Sequence, residues 1–347
     1  MAVSGHTEAR PSVSDGRGRS PGGFEAVGRL QDALEAALGD PSGDVSVEIV
    51  DRRSNSYAST FPSEIVRCRV SRLGAGPSAP GVIALFAKRG PAYRDPYSGH
   101  ARGVPYEIEV YRRVLPLLSM ARPKLLGAFQ EPGTHGEGWL FIEHLADTLR
   151  IDETTDPQAM RRAAEELAAL HSGGEEVARG ERRLLNSYGA LYLEEFASRW
   201  RASTARLSDG HPWIEALSRR IDDVMDCLGS SRPTLVHGEA YVNNILLREG
   251  RPVIVDWESA GAGPGEIDLA TLLARWPEEE AREAEAAYVR GRWPDGPPDS
   301  FALALQAARL HALARILHRH LYGPGSAKQI EIILAEIRVV SERLGVL

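Results

Sequence analysis

The chain has 347 residues, 43% of them hydrophobic, enough to bury the cores of two lobes, which excludes wholesale disorder and a collagen-like fibre. Forty-one Lys and Arg against 48 Asp and Glu leave a formal charge of −7. That balance disfavours nucleic acid as a partner, because such binding draws its affinity largely from phosphate neutralisation by basic side chains. Two cysteines, Cys68 and Cys227, lie in apolar segments without a CxxC or a disulfide framework. No apolar run approaches the roughly 18 residues of a membrane helix, and no signal pattern opens the chain. The expectation is a soluble, cytoplasmic protein with no membrane partner.

In chain order, residues Met1 to Gly23 are Ser, Gly, Arg and Pro with hardly an apolar side chain, and are expected to form a flexible tail. Phe24, Val27, Leu30, Leu34 and Leu38 then make one stripe of a helix that Gly39 stops. The period changes to two at Val45, Val47 and Ile49 and again over Ile65 to Val70, and Val82 to Lys88 is a denser apolar strand. A helix from about Pro105 carries Val110, Leu115 and Leu118, and strands follow at Leu125 to Phe129 and Trp139 to Ile142. Residues 24–143 thus describe a small β-rich lobe.

From residue 144 to residue 347 the pattern is helical. Pro157 to His171, Leu191 to Arg206 and Trp213 to Leu228 are amphipathic. One β interruption breaks this lobe: Thr234 to Val236, Asn244 to Leu247, a Glu249-Gly250 turn, and Pro252 to Val255. The class is α+β, with the site expected in the cleft between a β-rich front lobe and a helical back lobe.

The interruption carries the chemistry. It runs His237-Gly238-Glu239-Ala240-Tyr241-Val242-Asn243-Asn244-Ile245-Leu246 and then Val253-Ile254-Val255-Asp256-Trp257-Glu258. A carboxylate stands five residues before an amide, both ahead of a short strand, and a second carboxylate ends the next strand. Phosphoryl transfer asks for such parts: a group beside the attacking hydroxyl, and oxygen ligands for Mg²⁺ that leave room for phosphate oxygens.

This block, with Asp268-Leu269-Ala270 after it, resembles the aminoglycoside phosphotransferase and choline kinase-like family of small-molecule kinases. The family pattern is His-Gly-Asp, four residues, Asn-(Ile/Val)-Leu, then an Asp-Trp or Asp-Phe pair, and Glu239 stands here where the family has Asp. The resemblance extends over about residues 45 to 290 and implies a two-lobed protein-kinase-like fold. It further implies that Lys88 cradles the phosphates of ATP or GTP with Glu107 as its partner, Glu109 being a rival, and that Asn244 and Asp256 hold magnesium. Glu239 would take or orient the proton of an acceptor hydroxyl, with His237 bracing its loop. Glu258 would assist a second metal or cap a turn. Trp139 to Glu143 would receive the adenine, and Ser56 in the glycine-free loop Ser54 to Ser59 would meet the phosphates. The implied acceptor is a small molecule: an aminoglycoside, another sugar-containing natural product or a choline-like metabolite. Oligomeric state is not implied.

Glu239 is one methylene longer than the family's residue, so either the loop has moved to suit it or the site binds nucleotide without turnover. Other signals weaken on inspection. Gly261 to Glu266 lacks the third glycine of a dinucleotide-binding turn and has a proline at the helix start. His311, His318 and His320 have no matching Cys or acid ligands and are expected to be surface or packing histidines. Glu278, Glu279 and Glu280 form a solvated helix face or an acidic wall for a cationic acceptor. Eleven residues between Asp256 and Asp268 are too few for the activation segment of a protein kinase.

Overall fold

The computed structural model describes residues 30, 32–35, 45–54, 64–72, 83–92, 102–130, 137–154, 156–274, 276–322 and 325–347. The expected tail at 1–23, the ends of the first helix and the loop position Ser56 lie outside the described residues.

The front lobe is one antiparallel sheet of five strands: β1 (Val45–Ser54), β2 (Glu64–Arg72), β3 (Ile83–Gly90), β4 (Leu125–Gln130) and β5 (Gly138–Glu143), in the spatial order β1-β2-β3-β5-β4. Alternation divides its faces. Leu85, Ala87, Trp139 and Phe141 pack with Leu30, Ala33 and Leu34 of the first helix. Phe86, Leu140 and Ile142 point the other way, into the main core. Lys88, two residues from Phe86, shares this inner face, so the strand period delivers a lysine to the inter-lobe cleft. Against that face lies α1 (Val104–Glu109), which runs on through a π-helical turn (Val110–Val114) and a 3₁₀ turn (Leu115–Leu117).

The back lobe contains α2 (Ala159–Gly180), α3 (Ala190–Thr204), α4 (Trp213–Gly229), α5 (Glu266–Leu273), α6 (Glu278–Arg292), α7 (Phe301–Tyr322) and α8 (Ala327–Arg343). Short strands thread between them. β6 (Leu149–Arg150) joins β9 (Ile245–Arg248) and β10 (Arg251–Ile254) in one sheet, and β7 (Asn186–Ser187) and β8 (Pro233–Val236) flank β11 (Gly261–Pro264) in another. Glu249 and Gly250 both have positive φ, 53° and 76°, the conformation a two-residue hairpin between β9 and β10 requires. No helix among the described residues is long and apolar enough to cross a membrane.

Two elements differ from the sequence expectation. The helix expected to end at His171 continues to Gly180 through Gly173-Gly174, against propensity. Contact with β8 explains it: a Cβ on Gly174 would come within 2.8 Å of the Leu235 Cβ, so glycine lets helix and strand meet. Strand β11, with the composition Gly-Ala-Gly-Pro, has no strand signal in its sequence. Its Gly261 and Gly263 press on the Tyr188 side chain, where an added Cβ would come within 2.5 Å of the ring at Gly261 and of the Tyr188 Cβ at Gly263.

Candidate active site at the lobe interface

Lys88 is the centre of the site. Its ammonium, buried between the lobes, donates to Glu107 Oε2 at 2.9 Å, Asp256 Oδ1 at 2.6 Å and Glu258 Oε2 at 2.9 Å. Burial works to discharge the lysine, but the charges of Asp256, Glu107 and Glu258 outweigh it and hold the ammonium well above its ordinary range. Three carboxylates around one cation leave an excess of negative charge. Burial therefore raises Glu107, against the pull of Lys88, and pushes Glu258 up to about 8. Asp256 is the exception. Burial acts to raise it too, yet Lys88 prevails and keeps it below the usual carboxylate range.

Glu107, rather than Glu109, is the partner of Lys88. It lies on the buried stripe of α1 with Val104, Tyr111 and Val114, whereas Glu109 turns toward Arg112, 3.6 Å away. The other oxygen of Glu107 accepts from the Trp257 backbone N–H at 3.0 Å, which ties α1 to the segment bearing Asp256 and Glu258. Tyr106, on the same helix, donates to the Ala260 carbonyl at 2.7 Å. Asp256 has φ 70°, a left-handed conformation that a non-glycine residue holds only where its surroundings over-determine it.

The loop after β8 is built as a rigid bracket. Buried Asp268, from the first turn of α5, accepts from the backbone N–H of His237 (2.6 Å) and Gly238 (2.8 Å), and pairs with His171 Nε2 at 3.2 Å. His237 holds the loop in the bracing role expected of it: Nε2 donates to the Val255 carbonyl at 3.0 Å, and Nδ1 accepts from the Glu239 N–H at 3.3 Å. Asn244 Nδ2 donates to the Glu239 carbonyl at 2.9 Å, and the Asn244 carbonyl accepts from Val255 N–H at 3.0 Å. Glu239, Asn244 and Asp256 are thereby joined through short backbone links.

Arg315, which no sequence reading singled out, completes the bracket. From α7 its guanidinium donates to the Gly238 carbonyl and to Glu239 Oε1, each at 3.0 Å, with both side chains about nine-tenths buried. Removing one partner of a buried pair typically costs about 3–5 kcal/mol, because the other charge is left uncompensated. One signal was available: Leu305, Ala308, His311 and Ala312 mark a buried stripe of α7, and Arg315 continues it as a charge where an apolar side chain belongs. Beyond Arg315, a shallow solvent-open cleft lies between α3 and α7, lined by Tyr192, Phe196, Arg199, Trp200 and His318.

The remaining candidates separate. The Glu143 side chain is bound to Arg248 at 2.9 Å and to the Lys124 N–H at 3.2 Å, a link between the two lobes. His311 is buried and bonded to the Tyr192 hydroxyl at 2.6 Å, a packing histidine. Glu278 and Glu279 are exposed in the first turn of α6, and no carboxylate is among the residues lining the cleft.

Oxygens of Glu107, Asp256 and Glu258 lie within 4.8 Å of one another around the Lys88 ammonium, which already serves as their cation. Of the three, Asp256 has a side chain 41% exposed and so has an oxygen donor open to a further hard cation.

A β-rich front lobe, a helical back lobe, and a lysine–carboxylate centre between them define a two-lobed kinase-like phosphotransferase. The model of the phosphotransferase enzyme family matches residues 88–300, more than half of the chain, and the protein belongs to that family. No curated protein matches the sequence. Solved structures resemble it in fold. Amicoumacin kinase hAmiN in complex with AMP-PNP, Ca²⁺ and Ami is 13% identical, with a TM-score of 0.58 over 92% of this chain and 95% of that one. A choline/ethanolamine kinase family protein from Mesorhizobium loti is 14% identical, TM-score 0.56, over 92% and 96%. The GDP and kanamycin complex of APH(2″)-IIia is 12% identical, TM-score 0.56, over 91% and 99%.

Proposed function

We propose that the protein is a magnesium-dependent kinase that transfers the γ-phosphate of ATP or GTP to a hydroxyl of a small molecule. The acceptor would be an aminoglycoside, another sugar-containing natural product or a choline-like metabolite. The observation that carries this reading is the meeting of Lys88, Glu107 and Asp256, from two lobes and 168 residues of sequence, beside a bracketed loop that presents Glu239 and Asn244.

Lys88, oriented by Glu107, would bind the nucleotide phosphates. Asn244 and Asp256 would hold the magnesium ion, which when bound neutralises phosphate charge. Glu239 would accept the hydroxyl proton as the acceptor oxygen bonds to the γ-phosphorus and the bond to the β-phosphate oxygen breaks. Because phosphoryl transfer asks for little covalent help, holding these groups in place is most of the protein's task. The adenine or guanine would meet the backbone of the segment ending at Glu143, since the Glu143 side chain is committed to Arg248.

Purified protein with Mg²⁺ and γ-labelled ATP, then GTP, tested against aminoglycosides, other sugar-bearing antibiotics and choline-type alcohols, should yield a labelled small molecule. Binding of nucleotide with no transfer to any of them would count against an active kinase.

A further inference from the structure

Glu239 is held from outside its own loop, and the holder is Arg315. We infer that Arg315 is a positioning residue for the phosphoryl transfer proposed above, on which this inference rests, and that it is what makes glutamate a working side chain at this place.

The hydrogen bonds of the bracket leave little choice. Asp268 fixes the backbone of His237 and Gly238 with both of its oxygens, and Asn244 fixes the Glu239 carbonyl. The loop therefore cannot retreat to absorb an extra methylene. The side chain itself has to be aimed, and Arg315 Nη2 aims it by binding Oε1 at 3.0 Å. Nη1 of the same guanidinium grips the Gly238 carbonyl, so carboxylate and loop are set by one rigid fork. Arg315 Nε has no partner among the described residues, and Glu239 is its only carboxylate partner there. The arginine is spent on this loop.

The pairing also divides the labour of the carboxylate. Oε1 belongs to Arg315, while Oε2 accepts no hydrogen bond among the described residues and is left for the acceptor hydroxyl. An aspartate here would fall short of Arg315 by about one C–C bond and leave the guanidinium buried without its carboxylate. Side chain 239 and side chain 315 form one unit, and their effects on turnover should not add.

The test is a double-mutant cycle on phosphate transfer from labelled Mg-nucleotide, with the acceptor panel and with water as acceptor, in the full chain. Arg315→Met, which removes the fork while keeping apolar bulk, should lower kcat about 10²-fold and change the KM for nucleotide less than about 3-fold. Glu239→Gln should lower kcat about 10²- to 10³-fold. The double variant should be no slower than Glu239→Gln alone, and should melt above Arg315→Met because neither charge is left stranded. Arg315→Lys should restore part of the rate, and Glu239→Asp should lose rate instead of gaining it. If Arg315→Met does not fold, the inference rests on Arg315→Lys and Glu239→Asp, and full activity in either overturns it. Losses that multiply in the double variant would show a merely structural arginine and overturn the inference while the kinase stands. A wild-type protein that binds nucleotide and transfers phosphate to nothing would overturn both.

Discussion

Replacing Glu258 with glutamine should abolish a pH dependence of stability that lies between about pH 4.5 and pH 8. Burial beside Asp256 and Glu107 lifts this carboxyl from 4.5 to about 8 in the folded protein, with Lys88 acting in the opposite direction. Between those two values the folded protein keeps a proton that the unfolded chain has released. The folded state thus binds more protons, and stability falls as pH rises through the window. The steepest slope one such group can give is about 1.4 kcal/mol per pH unit. Because Lys88 and its three carboxylates titrate as a set, a net fall of about 2–4 kcal/mol across the window is the reasonable expectation. Glutamine keeps an oxygen for the Lys88 ammonium and does not titrate. Urea unfolding of wild type and Glu258→Gln from about pH 5 to about pH 8 gives the difference directly: wild type should lose stability relative to the variant as pH rises. A difference that stays flat, or that grows in favour of wild type, would refute a buried Glu258 carboxyl in the cluster at Lys88.

Two further outcomes follow from the same geometry. Asp256→Asn should remove phosphate transfer while shifting the melting temperature by no more than a few degrees, since Lys88 retains Glu107 and Glu258 as partners; a fully active variant would sink the metal assignment. Gly238→Ala should destabilise the protein by about 2–5 kcal/mol in urea unfolding, because φ is +83° and the new Cβ would run into the Tyr188 hydroxyl and sit 2.5 Å from the Ser259 carbonyl. An alanine variant as stable as wild type would mean that the loop is not the tight bracket described.

Much of the fold was legible because it is written in local period. The alternation that makes β3 and β5 strands also puts Lys88 on the inner face. The choice between Glu107 and Glu109 was legible in principle: Val104, Glu107, Tyr111 and Val114 recur at helical spacing, and Glu109 falls off that stripe. The candidate block was legible through spacing, since Glu239, Asn244 and Asp256 flank one short hairpin. What escaped was whatever depends on chain far away. The long α2 and the glycine strand β11 exist because Leu235 and Tyr188 sit against them, which no local propensity expresses. Asp268 could be seen as part of a motif, but its task of receiving two backbone N–H groups 30 and 31 residues away could not. Arg315 lies 76 residues beyond Glu239, and only the packing of α7 brings the two together.

That last contact changes how the glutamate should be understood. From the sequence, Glu239 allows two accounts, a loop displaced to suit the longer side chain or a site that has lost turnover. The proposed reading adds a third. The loop is pinned by Asp268, a constraint that would hold for an aspartate as well. An eroding site would leave a carboxylate with no reason to be aimed, whereas this one is fixed through one oxygen by a buried guanidinium that has no other carboxylate partner among the described residues. A buried arginine is costly to keep unless its partner is kept with it. On the proposed reading, the substitution is therefore half of a matched pair, and a search for relatives with the same chemistry should ask for both halves: a glutamate after His-Gly, and an arginine on the buried face of the helix that packs behind it.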